Sequence, residues 1–112
     1  MPQNDLNSES HRRVDEIDRT VHSPTRLKIL IVLAVVVNAD FTFLVKSTGL
    51  TRGNLSANLR KLEEAGYVTI EKGYADRVAR TLIQLTNEGR SALKTYNKNM
   101  RTVLDDLQEH IG

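Results

Sequence analysis

The chain has 112 residues, 27% of them charged, 39% hydrophobic and 4% aromatic: enough for one small domain with extra length at its ends, too little for a large multidomain enzyme. It contains no Cys, which excludes disulfides, thiolate zinc sites and cysteine nucleophiles together and permits a reducing compartment. The net charge of +2 is too small to argue a nucleic-acid partner, but its distribution is uneven, since the stretch from Lys46 to Arg80 holds seven basic residues against four acidic.

Residues 1–9 are polar, with a single Leu, and are expected to remain a disordered tail. From Ser10 the apolar residues Val14, Ile17 and Val21 recur at spacings of three and four, predicting a helix over 10–22 with one narrow stripe that needs a partner. Ser23 before Pro24 is a strong start signal: the Ser oxygen accepts from a freed backbone N–H, and Pro at the first helical position gives up an N–H that has no partner anyway. The helix it opens, to about Val37, is apolar on most sides and reads as the buried centre of the fold. Its apolar run, Ile29 to Val37, is far shorter than the roughly 20 residues a membrane crossing needs. The polar start at Met1 carries no export pattern, so no membrane association and a cytoplasmic location are expected.

Phe41, Leu44 and Val45 predict a short third helix, capped by Asp40 or Thr42 and broken at Gly49, with room for a short strand at Asp40 to Phe41. Thr51 caps a fourth helix to about Ala65, in which Leu55, Leu59 and Leu62 form the buried stripe and Gly66 supplies a left-handed stop. Tyr67 to Ile70 and Val78 to Leu85 have strand character around a turn-rich tip at Lys72 to Asp76, which is a hairpin. Thr86 caps a last helix whose apolar positions Leu93, Tyr96, Met100, Val103, Leu104, Leu107 and Ile111 outrun the needs of one small domain.

Two helices joined by the tight Ser47-Thr48-Gly49-Leu50 corner, followed at once by a hairpin, give the order helix, turn, helix, wing. The second helix of such a unit fits the major groove of B-DNA, and the hairpin reaches the neighbouring backbone or minor groove. At 100° per residue the face opposite the leucine stripe carries Gly53, Ala57, Arg60, Lys61 and Glu64, flanked by Asn54 and Ser56. The small residues permit close approach, Asn54 and Ser56 offer hydrogen bonds, and Arg60 and Lys61 neutralise phosphates or reach guanine. Thr51 and Arg52 stand beside a helix N-terminus suited to a phosphate. Basic residues on a helix are most often a solvated face, yet Gly53 in the first turn costs up to about 1 kcal/mol against Ala and is better explained by close approach. On the wing, Lys72, Tyr74, Arg77 and Arg80 are candidate backbone contacts, or the charges that blunt an edge strand.

These residues carry a resemblance. Pro24-Thr25-Arg26-Leu27-Lys28-Ile29-Leu30, Phe41 through Leu44, Gly49-Leu50-Thr51-Arg52-Gly53-Asn54-Leu55-Ser56, the run from Leu59 to Val68, Arg80-Thr81 and the run from Leu85 to Arg90 together resemble the winged helix-turn-helix transcriptional regulators of prokaryotes. The match is to a small family related to the MarR and ArsR regulators and described as a winged helix DNA-binding domain, over about Val21 to Tyr96. It implies a homodimeric, sequence-specific regulator of double-stranded DNA without enzyme activity. ArsR-like metal sensing needs Cys and His, and only His11, His22 and His110 are present, so no metal and no cofactor are expected. Asp106 and His110 share a helix face, where a His against the negative end of the helix dipole is the commoner arrangement. Asp105, Asp106, Glu109 and the Glu63-Glu64 pair do not converge as acid and base must. A small-molecule effector would lie between the dimerisation region and the DNA-binding lobe, and no polar cluster in the sequence marks it.

The expected fold is therefore α+β, a winged helix over residues 23–86 with an N-terminal helix (10–22) and a C-terminal helix (87–112) for dimerisation. Val14, Ile17, Val21, Met100, Val103, Leu104, Leu107 and Ile111 form the expected dimer interface. The expected function is repression from a palindromic operator. The competing class is a winged helix serving as a protein-interaction module, which differs in lacking the steep salt dependence of phosphate binding.

Overall fold

A computed structural model describes the backbone of residues 2–112 and the side chains of residues 9–112. Its elements run α1 (Pro2–Asp15), α2 (Pro24–Val35), β1 (Ala39–Asp40), α3 (Phe41–Thr48), α4 (Arg52–Glu64), β2 (Val68–Ala75), β3 (Val78–Leu85) and α5 (Asn87–Ile111). The three strands form one antiparallel sheet in the order β1-β3-β2. Each of four helices starts on a side-chain cap: Ser23 accepts from Arg26 N, Asp40 from Phe43 N, Thr51 from Asn54 N and Thr86 from Gly89 N. Gly49 (φ 74°) and Gly66 (φ 82°) turn the chain out of α3 and out of the end of α4 in the left-handed conformation.

The core is built almost wholly of aliphatic side chains. Ile29, Leu30 and Leu33 of α2, Leu44 of α3, Leu55, Leu59 and Leu62 of α4, and Val68 and Ile83 of the sheet are buried together. Ala92, Leu93 and Tyr96 from the first half of α5 pack on this cluster, while α1 packs on α5.

Four expectations are corrected. The backbone of residues 2–9 is helical rather than a disordered tail, with Met1 outside the described residues. Pro2 has the φ a first helical turn needs, no later residue up to Asp15 is a breaker, and Glu9 pairs with Arg12 (2.6 Å) and Arg13 (3.1 Å). The same helix stops at Asp15, not at His22, because the Asp18 carboxylate accepts from the N–H groups of Thr20 and Val21 and folds the chain into a turn. That turn delivers Val21 into the core of its own chain, fully buried, so Val21 leaves the dimer set. The centre helix α2 is buried on one side only: Ile31 is 61% and Val35 81% exposed, since the core beneath meets only the face of Ile29, Leu30 and Leu33.

The hairpin is also longer than its composition suggests. Residues 72–75 are paired strand, and the turn is Asp76 and Arg77 alone, both at positive φ (51° and 67°). Two successive positive φ values match the right-handed twist of the strands, so a two-residue loop closes the hairpin and the Gly73 region continues the ladder. From Glu71 outward nearly every side chain is exposed, and this half of the hairpin stands away from the body.

Candidate nucleic-acid interface

The leucine stripe orients α4. With Leu55, Leu59 and Leu62 buried, Thr51, Arg52, Gly53, Asn54, Ser56, Ala57, Arg60 and Lys61 are all exposed, as the helical wheel predicts. A Cβ on Gly53 would meet nothing within 4 Å, so no intrachain contact requires a glycine there. The Arg52 guanidinium lies 4.9 Å over the Phe41 ring, a cation–π contact that aims it toward the wing.

Between α4 and the hairpin runs a trough. One end, about 700 Å³, is bordered by Asp40, Thr42, Arg52, Gly53, Ser56 and Arg80. The other, about 570 Å³, is bordered by Ser56, Arg60, Glu63, Lys72 and Thr81. Sheet register divides the candidate wing residues among three environments. Lys72 and Tyr74 pair with Thr81 and Ala79 and continue the face that begins with Val68 and Ile70, so Lys72 borders the trough. Arg80 pairs with Gly73 on the opposite face, and its guanidinium donates at 3.1 Å to the carboxylate of Asp40 at the far end of the trough, which both residues border. Arg77 sits at the tip. Of the two candidate caps, Asp40 and Thr42, it is Asp40 that caps α3, through Oδ1, and the sequence gives no sign that it also holds Arg80, through Oδ2.

Asn58 and Arg26 carry no candidate role in the sequence, yet both touch the exposed face. Asn58 donates to the Asn54 side chain at 2.6 Å, and Arg26 donates to Asn58 at 3.0 Å. The i, i+4 spacing of the two asparagines was the available signal.

Behind the hairpin, Tyr67 follows α4 and donates its hydroxyl to Asp18. That hydrogen bond, then partial burial, then the charges of Asp18 and Glu88 push its pKa up to about 12. Tyr67 lines a cleft of about 520 Å³ with Glu16, Asp18, Glu88, Tyr96 and Asn99, between the α1–α2 connection and α5. The sequence showed no polar cluster at this level because its members are up to 83 positions apart (Glu16 to Asn99). Among the described residues, no three or more His, Asp and Glu side chains come together as a metal site would need.

The family model described as winged helix DNA-binding domain matches residues 25–104. The chain belongs to this family. A relative, an uncharacterised protein of Methanocaldococcus jannaschii, is 40% identical over 75 residues, covering 67% of this chain and 82% of that protein. The solved structure of a transcriptional regulator homologue from Pyrococcus horikoshii OT3 superposes with a TM-score of 0.78 at 32% identity, covering 89% of this chain and 97% of that one. The transcriptional repressor CouR, solved on a 23-mer DNA duplex, shares the winged helix fold with a TM-score of 0.69 at 23% identity, covering 99% of this chain and 76% of that one. A putative MarR-family regulator of Enterococcus faecalis V583 shares it at 0.66 and 19%, covering 97% and 91%. The protein thus has an α+β winged helix fold and belongs to a family of winged helix DNA-binding domains, and a transcriptional regulator homologue is among its relatives. Among the described residues no helix is long and apolar enough to cross a membrane.

Proposed function

We propose that the protein is a cytoplasmic repressor that binds a palindromic operator in double-stranded DNA as a homodimer. The observation that carries this reading is the exposed face of α4, small at Gly53 and Ala57 and basic at Arg60 and Lys61, set beside a protruding hairpin. In this reading α4 enters the major groove: Asn54 and Ser56 meet base edges, Arg60 and Lys61 take phosphates or guanine, and Thr51 and Arg52 hold a phosphate at the helix start. Lys72, Tyr74 and Arg77 contact the flanking backbone, and Arg80 is held by Asp40 at the base of the wing. Two copies place their recognition helices about 34 Å apart, one turn of the duplex, and occlude polymerase. Val14, Leu104, Leu107 and Ile111, all exposed in one chain, form the contact between copies, with Ile17, Met100 and Val103 half-buried beside them. The cleft at Tyr67 is the place for an effector; its three carboxylates favour a cationic or strongly hydrogen-bonding molecule over an anionic one.

Selection of bound duplexes from a random pool tests binding, base preference and half-site spacing at once. A paired site with centres about 10 base pairs apart is expected. Arg60→Ala and Lys61→Ala are each expected to weaken binding to the selected duplex while the melting temperature stays at the parent's value. Leu59→Ala is expected to cost about 2 to 5 kcal/mol of stability by opening a cavity. Full affinity in both surface variants removes α4 as the reading helix, and affinity that ignores salt points to a protein partner instead.

A further inference from the structure

A primary amide ends in one acceptor and one two-hydrogen donor, and which of them faces outward decides what the side chain reads. For Asn54 that choice is set by a relay of hydrogen bonds that begins at a cation unable to accept. The Arg26 guanidinium donates through Nε and Nη2 to the carbonyls of Thr20 and Arg19, and through Nη1 to Asn58 Oδ1 at 3.0 Å. With its oxygen turned to Arg26, Asn58 can present only its NH2 to Asn54. It donates there to the backbone carbonyl (2.9 Å) and to the side-chain Oδ1 (2.6 Å). The Asn54 oxygen is thereby engaged from within, and its NH2 is the end left toward solvent on an exposed side chain. Turning the Asn54 amide would set two NH2 groups against each other. Turning Asn58 as well would set an NH2 against the guanidinium, so only one polarity of the relay satisfies all three groups.

We propose that Arg26 and Asn58 are positioning residues that hold the Asn54 oxygen toward the helix and turn its NH2 outward as a donor, selecting a base with two neighbouring acceptors on its major-groove edge. Guanine offers O6 and N7 to such a donor. Adenine offers only N7, beside its own N6–H2 donor, and the usual bidentate asparagine–adenine pairing needs the amide oxygen turned to the base, away from the Asn58 NH2 that holds it toward the helix. The inference rests on α4 being the helix that reads DNA, and adds to it the base class at one position and the two residues that impose it.

The test compares duplexes selected at one salt concentration by the parent, Asn54→Ala and Asn58→Leu. Asn54→Ala is expected to flatten the preference at one base pair of each half-site. There the parent is expected to favour guanine over adenine by about tenfold or more. Asn58→Leu cannot donate, so Asn54 is free to turn, and that ratio is expected to fall to within about twofold, a loss of roughly 1 kcal/mol of discrimination, with the other positions and the salt slope unchanged. Adenine at that position in the parent, no altered position in Asn54→Ala, or an unaltered ratio in Asn58→Leu each overturns the relay. A readout without DNA covers a variant that folds poorly: in the labelled parent, the side-chain amide protons of Asn58 should exchange with water more slowly than those of Asn54, and the reverse order overturns the proposal. Should the parent retain no duplex even at low salt, the DNA-binding reading itself fails, while the exchange order still decides the relay.

Discussion

A methyl group on Gly89 would sit 2.3 Å from the Tyr67 carbonyl oxygen and 2.7 Å from Leu85 Cδ1. The first turn of α5 can lie this close to the base of the wing only without a side chain, and the Tyr67 carbonyl cannot retreat freely because it accepts from Thr86 N at 3.0 Å. Gly89→Ala is therefore expected to lower stability by about 1 to 3 kcal/mol despite the better helix propensity of Ala, as read by chemical denaturation. Tyr67 makes a second prediction at the same scale. Its folded pKa of about 12 lies above the unfolded value of about 10, so the folded state keeps the proton longer. The resulting stabilisation is complete below about pH 10 and is lost as pH rises toward 12. Alkaline unfolding is expected to be less steep in Tyr67→Phe over that window, and the absorbance step of one tyrosine titrating near pH 12 should vanish with it.

Among the elements, the hairpin shows a local cost kept where function is proposed. Asp76 and Arg77 both adopt positive φ, a conformation in which a Cβ crowds the following carbonyl. Asp is tolerated at such a turn, whereas Gly is the favoured second residue and Arg is not. Arg77→Gly is expected to raise stability by about 1 kcal/mol while weakening duplex binding and making its salt slope shallower by about one unit, the loss of one phosphate contact. Lower stability would mean that Arg77 is held by packing rather than strained. Composition placed the tip four residues too early on one side, at Lys72, because Gly73 suggests a turn when strand pairing is unknown. With Gly73 opposite Arg80 in the ladder, the turn can only be the two residues left over.

At the scale of the whole molecule, the chain measures 67 × 24 × 21 Å with a radius of gyration of 17.4 Å, against about 13 Å for a compact domain of this size. Much of the excess is the half of the 25-residue α5 beyond Tyr96, which runs on past the core cluster. Alongside it lies α1, bonded through Ser10 to Asp106 and through Arg13 to the buried Asn99. One chain thus half-covers Met100 and Val103 but leaves Leu104 54%, Leu107 46% and Ile111 75% exposed. Such a row of apolar groups on a charged helix calls for burial against another surface. Leu104→Glu with Leu107→Glu is expected to give a monomer with an intact winged helix and much weaker binding to a full palindrome, measured by equilibrium sedimentation and duplex titration. An unmodified protein that is monomeric at tens of micromolar, on the order of concentrations that a standard interface withstands, removes the dimer.

What the sequence determined by itself is where most helices start and which way α4 faces, both set by neighbours a few residues apart. Ser23, Asp40, Thr51 and Thr86 were legible as caps because each accepts from an N–H three residues on, and the exposed face of α4 was legible because the leucine spacing alone orients a helix. Only the tertiary structure decided which distant groups meet. It took Val21 out of the interface and into the core, turned Ile31 and Val35 outward, tied Arg80 to Asp40 across 40 positions, and joined Arg26 to Asn58 across 32. The same apolar residue, or the same charge, serves the interior or the surface equally well on its own helix. Its role is chosen by what packs opposite, which depends on chain reversals such as the Asp18 turn and on strand register, and neither is written in the periodicity of one element.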